Sequence, residues 1–281
     1  MTRYTKRIVV VLFLSFFICF VGCDMNVLNT GNNDISYQST DILVDKNEVI
    51  GDDAPGSVLT DSGDSVYSDS QRKALDGVVI VLDPGHGFYS ENYKEPVAPG
   101  SSEMKNAFAT GTSGDYLSEA EFNLIVAQKL EPLLTNQGAT VYFTRMDKNS
   151  ISNVERAVFA NDLNADLALR IHADGSTDET ISGISVLVPA AGIVEEDVRS
   201  ESSLIGQKIL DSLIYQTGAN NRGLIQRSDL TGFNWSEVPV VLVECGFMSN
   251  PQEDLKLSSD AYQNLIANGI AEAIIDHYSD N

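Results

Sequence analysis

Three short apolar runs in this chain stop abruptly at an ionisable side chain. VVIVLDPGH ends at His86, LALRIH at His172 and VPVVLVE at Glu244. An apolar run of four to eight residues bounded by turn signals reads as a buried strand, and Pro-Gly after Asp83 marks such a turn. Helical spacing fills the intervals. Phe122, Ile125, Val126, Leu130 and Leu133 predict a helix over 121–137 that stops at Gly138. Further strands are expected over 140–145 and 183–188, and further helices over 153–163, 198–215 and 261–278. Strands alternating with helices of this length specify one α/β domain whose largely parallel sheet is covered on both faces. Ligands of such sheets bind at the carboxyl ends of the strands, which is where His86, His172 and Glu244 fall.

The N-terminal part is of another kind. Residues 1–23, MTRYTKRIVVVLFLSFFICFVGC, combine a basic start, an apolar run from Ile8 to Val21 and Gly22 before Cys23. This is the pattern of an export signal, too short and too polar in its sequel for a permanent span of a ~30 Å hydrocarbon core. The ending FVGC resembles the lipobox of bacterial lipoproteins, which implies lipidation of Cys23 and anchoring in a membrane; Phe20 departs from the usual aliphatic residue. Residues 24–75, rich in Asp, Asn, Ser and Gly without a sustained period, read as a flexible acidic spacer, and 76–281 as the folded domain.

Charge narrows the partners. The 281 residues carry a formal net charge of -22, and removal of residues 1–23, which contain Arg3, Lys6 and Arg7 but no acid, makes the rest more acidic still. Such a surface repels phosphate backbones, so nucleic acid is not expected as a partner. Of the cysteines, Cys19 lies inside the signal, so cleavage before Cys23 leaves Cys245 alone in the folded domain and no internal disulfide.

Each polar residue singled out has a bland reading beside the functional one. His86 serves equally as a turn histidine bonded to backbone, and His172 as a satisfied core histidine. His277, near the end of the last helix, is expected to be a solvated helix-end residue suited to the helix dipole. Together, His86 and His172 at converging strand ends make a site for a borderline-soft metal such as zinc. Glu119, at or just before the start of the 121–137 helix, is the best third ligand, against a first-turn acid favoured by the dipole. Glu121 would face elsewhere on that helix. Glu244 is either an acid paired with Arg156 or Arg222, or a general base whose pKa is raised by partial burial. Asp174 either orients His172 or makes a turn before Gly175. Asn161, Arg156, Arg222 and Arg227 are candidates for holding substrate carboxylates, against a role on the solvated surface.

In order along the chain, DPGHG, SEAEFNL, NVERAVFAND, RIHADGS and PVVLVECGFMSNPQED resemble the zinc-dependent N-acetylmuramoyl-L-alanine amidases of bacterial cell walls, type 3. The resemblance runs from about Gly77 to Tyr278. It implies a central mixed, largely parallel six-stranded sheet flanked by helices, zinc (Zn2+) held by His86, Glu119 and His172, and Glu244 as the catalytic carboxylate. The implied reaction is hydrolysis of the amide between N-acetylmuramic acid and L-alanine in peptidoglycan, outside the cytoplasm of a bacterium and, through the anchor, at the membrane. The loop from Phe88 to Asp115 departs from the family pattern, which makes Glu91, Glu95 and Glu103 competitors for the third ligand position. Another zinc hydrolase of the wall, a peptidase or deacetylase, and a non-catalytic peptidoglycan-binding lipoprotein are the competing readings. The segment 190–221 has room for one ordinary helix, so no further helix is expected to cover the site and constitutive activity is expected; the sequence does not say whether a protein activator takes part.

Overall fold

The computed structural model describes residues 72–88 and 92–279. The export signal, Cys19, Cys23, almost all of the spacer and Glu91 lie outside the described residues. No helix among the described residues is long and apolar enough to cross a membrane.

In chain order the elements are β1 (Val79–Pro84), β2 (Lys94–Pro96), β3 (Met104–Asn106), α1 (Glu119–Thr135), β4 (Thr140–Phe143), α2 (Asn153–Asp162), β5 (Leu167–Asp174) and β6 (Ile184–Pro189). There follow α3 (Glu196–Thr217), β7 (Asn221–Arg227), α4 (Thr231–Asn234), β8 (Val240–Phe247), α5 (Pro251–Leu257) and α6 (Asp260–Ser279). Six strands form one sheet in the order β4-β1-β5-β8-β6-β7, parallel throughout except where β6 meets β8. This is the mixed, largely parallel sheet expected.

Strand alternation divides the buried residues between two faces. Ile80, Leu82, Leu167, Leu169, Ile171, Val241 and Val243 pack against Phe122, Val126 and Leu130 of α1, Ile205 and Leu213 of α3, and Ile266, Ile270 and Ile274 of α6. Burying each such side chain contributes roughly 1.5–3 kcal/mol, and this layer is the main core. The opposite face carries Val81, Ala168, Val240 and Leu242, packed with Ala160 of α2 and Phe233 of α4. At a period of two, the same rows continue toward the carboxyl ends as Asp83 on β1, Arg170 and His172 on β5, and Glu244 on β8. The smaller apolar layer therefore leads straight into the polar site.

Helix starts are set locally. Ser118 with Glu121, and Ser152 with Glu155, form reciprocal capping boxes that fix the first turns of α1 and α2. Each cap is worth about 1 kcal/mol, and the first places Glu119 as the opening residue of α1.

The structure departs from the sequence expectations at several points. The sixth strand is β7, whose NRGLIQR pattern is only half-buried and lacks an apolar run. The single helix expected over 261–278 is the second of two, because Asn250 caps α5 and Pro251 opens it. Leu75, on the spacer side of the expected boundary, is fully buried in the main core. The loop from Phe88 to Asp115 contains an antiparallel pair, β2 with β3, docked on α4 by Trp235 Nε1 donating to the Pro96 carbonyl at 3.0 Å and Asn234 Nδ2 to that of Val97 at 2.9 Å. The segment 190–221 holds one helix, α3, which packs on β6 and α6.

Candidate metal centre and active site

Gly85, His86 and Gly87 follow β1, Glu119 opens α1, and His172 lies near the end of β5. The structure brings all three ionisable side chains together. Glu119 Oε1 lies 3.1 Å from His86 Nε2 and 2.9 Å from His172 Nδ1, and one ligand atom from each residue falls within 4.8 Å of the others. The imidazoles meet edge to face, with centroids 4.8 Å apart. Glu119 Oε2 accepts from Thr112 N at 2.9 Å, so the carboxylate is fixed at both ends.

Two glycines make this approach possible. A Cβ on Gly85 would lie 2.2 Å from Cε1 and Nε2 of His172, and one on Gly111 would lie 2.3 Å from Glu119 Oε2, where φ is also +78°. Neither position tolerates a side chain without moving a member of the cluster.

The donor set suits a metal. Two imidazoles and a carboxylate are a recurring ligand set for catalytic zinc. His86 Nδ1 sits 3.0 Å from the Ala109 carbonyl, which with a metal bound would take up the N–H on that side and free Nε2 as the ligand atom. Burial holds the His172 pKa down to about 4 despite the opposing pull of Glu119, so its ring is neutral at pH 7. Burial would raise the Glu119 pKa, but hydrogen bonds from His172 and His86 outweigh it and carry the carboxyl well below its usual range. The cluster thus presents a neutral His172 ring and an anionic Glu119 oxygen, the states metal binding requires of those two groups.

Glu244 stands opposite His172 in the β5–β8 pairing. Its Oε2 is buried without a hydrogen-bond partner. Burial, then the negative charges of Glu119 and Asp174, push its pKa well above the ordinary value, against the weaker opposing fields of Arg170 and Arg227. All four residues line one open cleft with Thr112, Asp174 and Ser176.

Of the other expectations, some are corrected and some are met. Arg156 pairs with neither Glu244 nor solvent; its guanidinium is buried against Asp83, which also binds Arg170 Nε at 2.8 Å. Arg222 stacks over the Phe247 ring at 4.9 Å. Arg227 makes a two-pronged pair with Asp229. Asn161 is spent on structure, donating to the Trp235 carbonyl and accepting from Glu237 N. Asp174 accepts from Gly175 N at 2.8 Å, the turn reading. His277 is buried rather than solvated, its Nε2 against Glu201 Oε1. Of the competitors of Glu119, Glu95 is buried at the start of α2, accepting from Asn153 Nδ2 and Val154 N, each at 2.9 Å. Glu103 is exposed, and neither belongs to the His86–Glu119–His172 cluster that could hold a metal. Sequence reasoning passes over Asp83, Arg145 and Arg170, all buried beside the site. Their signal is a charged residue within or just after an apolar strand, as for Glu244.

A family model described as N-acetylmuramoyl-L-alanine amidase matches residues 80–276. The chain belongs to the N-acetylmuramoyl-L-alanine amidase family. Over 209 residues it is 29% identical to an N-acetylmuramoyl-L-alanine amidase of Mycobacterium tuberculosis, covering 69% of this chain and 86% of that one. Over 243 residues it is 27% identical to the amidase AmiA of Escherichia coli, covering 72% and 78% respectively. Its fold matches the crystal structure of the amidase Ami1 from Mycobacterium smegmatis with a TM-score of 0.67 and 27% identity, over 74% of this chain and 99% of that one. The enzyme class of this amidase follows from that membership.

Proposed function

We propose that this amidase hydrolyses the bond between N-acetylmuramic acid and L-alanine in peptidoglycan, with zinc held by His86, Glu119 and His172 and with Glu244 as the proton-transfer group. The observation that carries the reading is the convergence of three ligand-type atoms beside the half-buried Glu244 carboxylate, whose Oε2 is buried without a partner, in an open cleft. Zinc bound there would polarise the scissile carbonyl and lower the pKa of the attacking water.

The chain's own residues supply the rest. Glu244, with its affinity for a proton raised by burial and by Glu119 and Asp174, accepts the proton of the attacking water at Oε2. It then delivers that proton to the departing amine of L-alanine, leaving a glycan without its stem and a free peptide. Burial suits Glu244 to both halves, because a carboxyl with an elevated pKa returns a proton more readily than an exposed one. Glu119, held by Thr112, keeps His86 and His172 in their relative orientation.

The same proposal places the enzyme outside the cytoplasm: residues 1–23 direct export, Cys23 carries lipid, and the spacer to residue 75 lets the domain reach the wall. Tethering would raise the effective concentration of wall at the cleft without a separate binding module. Metal analysis of purified Glu119→Ala tests the ligand set, with loss of zinc expected and full occupancy contradicting it. The mass of the mature N-terminal peptide tests lipidation of Cys23.

A further inference from the structure

Beneath the metal-ligating cluster lies a second, wholly buried assembly with no direct part in the chemistry just described. Asp83 bridges Arg156 and Arg170, and Arg145 packs beside them. Three guanidinium groups against one carboxylate leave an excess of buried positive charge, costly unless dipoles compensate. Three consecutive carbonyls, at the end of β1 and in the loop after it, do so. Arg145 Nε donates to the Pro84 carbonyl at 2.9 Å and Arg156 Nη1 to the same oxygen at 2.8 Å. Arg145 Nη2 donates to the Gly85 carbonyl at 2.8 Å, and Arg156 Nη2 to that of His86 at 2.6 Å.

His86 has a φ of 61°, one of two positive values at non-glycine residues among those described. The left-handed region is unfavourable for a residue with a Cβ and persists only where its surroundings impose it. Here the imposing groups are visible: with the Pro84, Gly85 and His86 carbonyls turned inward onto guanidinium groups, the His86 side chain is directed to the opposite side, toward Glu119. We propose that Arg156 and Arg145 are positioning residues for the metal centre, holding His86 in its left-handed conformation through the loop carbonyls and so setting the affinity of the site for zinc. Asp83 serves this device by orienting Arg156. The inference rests on the reading of His86, Glu119 and His172 as metal ligands.

The test is the zinc dissociation constant of Arg156→Lys, measured by competition with a chromophoric chelator, alongside the melting temperature of each metal-free protein. Lysine keeps the charge but cannot reach Asp83 and the Pro84 and His86 carbonyls at once. The comparison is a core truncation remote from the site, Leu213→Ala. Weakening of zinc binding by about 10- to 100-fold is expected for Arg156→Lys, the usual effect of removing groups that orient ligands. Leu213→Ala should lower the melting temperature with less than a threefold change in zinc affinity. Arg145→Lys carries the same expectation and serves where Arg156→Lys does not fold. Zinc affinity in the arginine variants no weaker than in Leu213→Ala would overturn the inference while leaving the metal reading intact. A wild-type protein that binds no zinc would overturn both.

Discussion

His172 and Glu244 face one another in register across the β5–β8 pairing, one a member of the His–Glu–His cluster that could hold a metal and the other a half-buried carboxylate whose Oε2 is buried without a partner. Parallel strands carry both groups to the same end of the sheet, so the separation between imidazole and carboxylate is set by main-chain hydrogen bonding rather than by a loop. Sites carried on regular elements hold their geometry more closely than sites on loops.

Glu244→Gln should therefore separate chemistry from metal binding. Hydrolysis is expected to fall by about 10²- to 10⁴-fold, the range for loss of a positioned general base, with zinc content unchanged. The same variant reports the raised pKa of Glu244 as stability in chelator-treated protein. A carboxyl whose folded pKa is raised stabilises the fold fully below its unfolded pKa of about 4.3, and that contribution is lost as pH rises through the folded value. The melting temperature of Glu244→Gln relative to wild type should accordingly rise with pH; a constant difference from pH 4 to pH 9 would contradict the burial argument.

Asp83→Asn should behave in the opposite sense. Burial raises the Asp83 pKa, but Arg156 and Arg170 overcome it and hold the carboxyl far below its usual range. Removing the charge leaves two buried guanidinium groups without their counterion, a loss of about 3–5 kcal/mol at neutral pH by chemical denaturation. The depressed pKa means that the wild-type advantage is complete above the unfolded value of about 3.9 and diminishes as pH falls below it. A loss under about 1 kcal/mol at pH 7 would show that the buried pairs contribute little.

Gly85→Ala probes the contact between the loop and His172. The added Cβ would enter the imidazole ring at 2.2 Å, so either the ring or the loop must shift. Overpacking of this kind costs about 1–3 kcal/mol, and displacement of His172 should weaken zinc binding by about 10-fold or more. Chelator competition and thermal melting measure the two effects separately. Wild-type zinc affinity in this variant would mean that His172 is not held where the structure places it.

What was legible in the sequence is what strong periodicity writes. β1, β5 and β8 are buried on both sides and read as apolar runs, and their ends point to His86, His172 and Glu244 because a polar residue at the close of a buried strand is conspicuous. Glu119 was weaker, since a first-turn acid is common, and only its contacts with His86 and His172 distinguish it. β7 escaped because half-exposed strands need no apolar run, and the β2–β3 pair because three-residue strands carry almost no pattern. Arg156 is misread for a physical reason: an arginine on a helix such as α2 is ordinarily solvated, and nothing in NVERAVFAND tells that it turns inward onto Asp83 on the sheet face. His277 was misjudged the same way, its helix end being covered by Glu201 from α3.

The central claim is an activity, and the most direct measurement incubates soluble residues 24–281 with purified peptidoglycan, then with chelator, then with zinc restored, identifying the products by mass spectrometry. The account predicts free stem peptides beginning at L-alanine, absent with chelator and recovered with zinc. Intact muramoyl-peptide linkages throughout, in protein shown to have zinc bound, would contradict it.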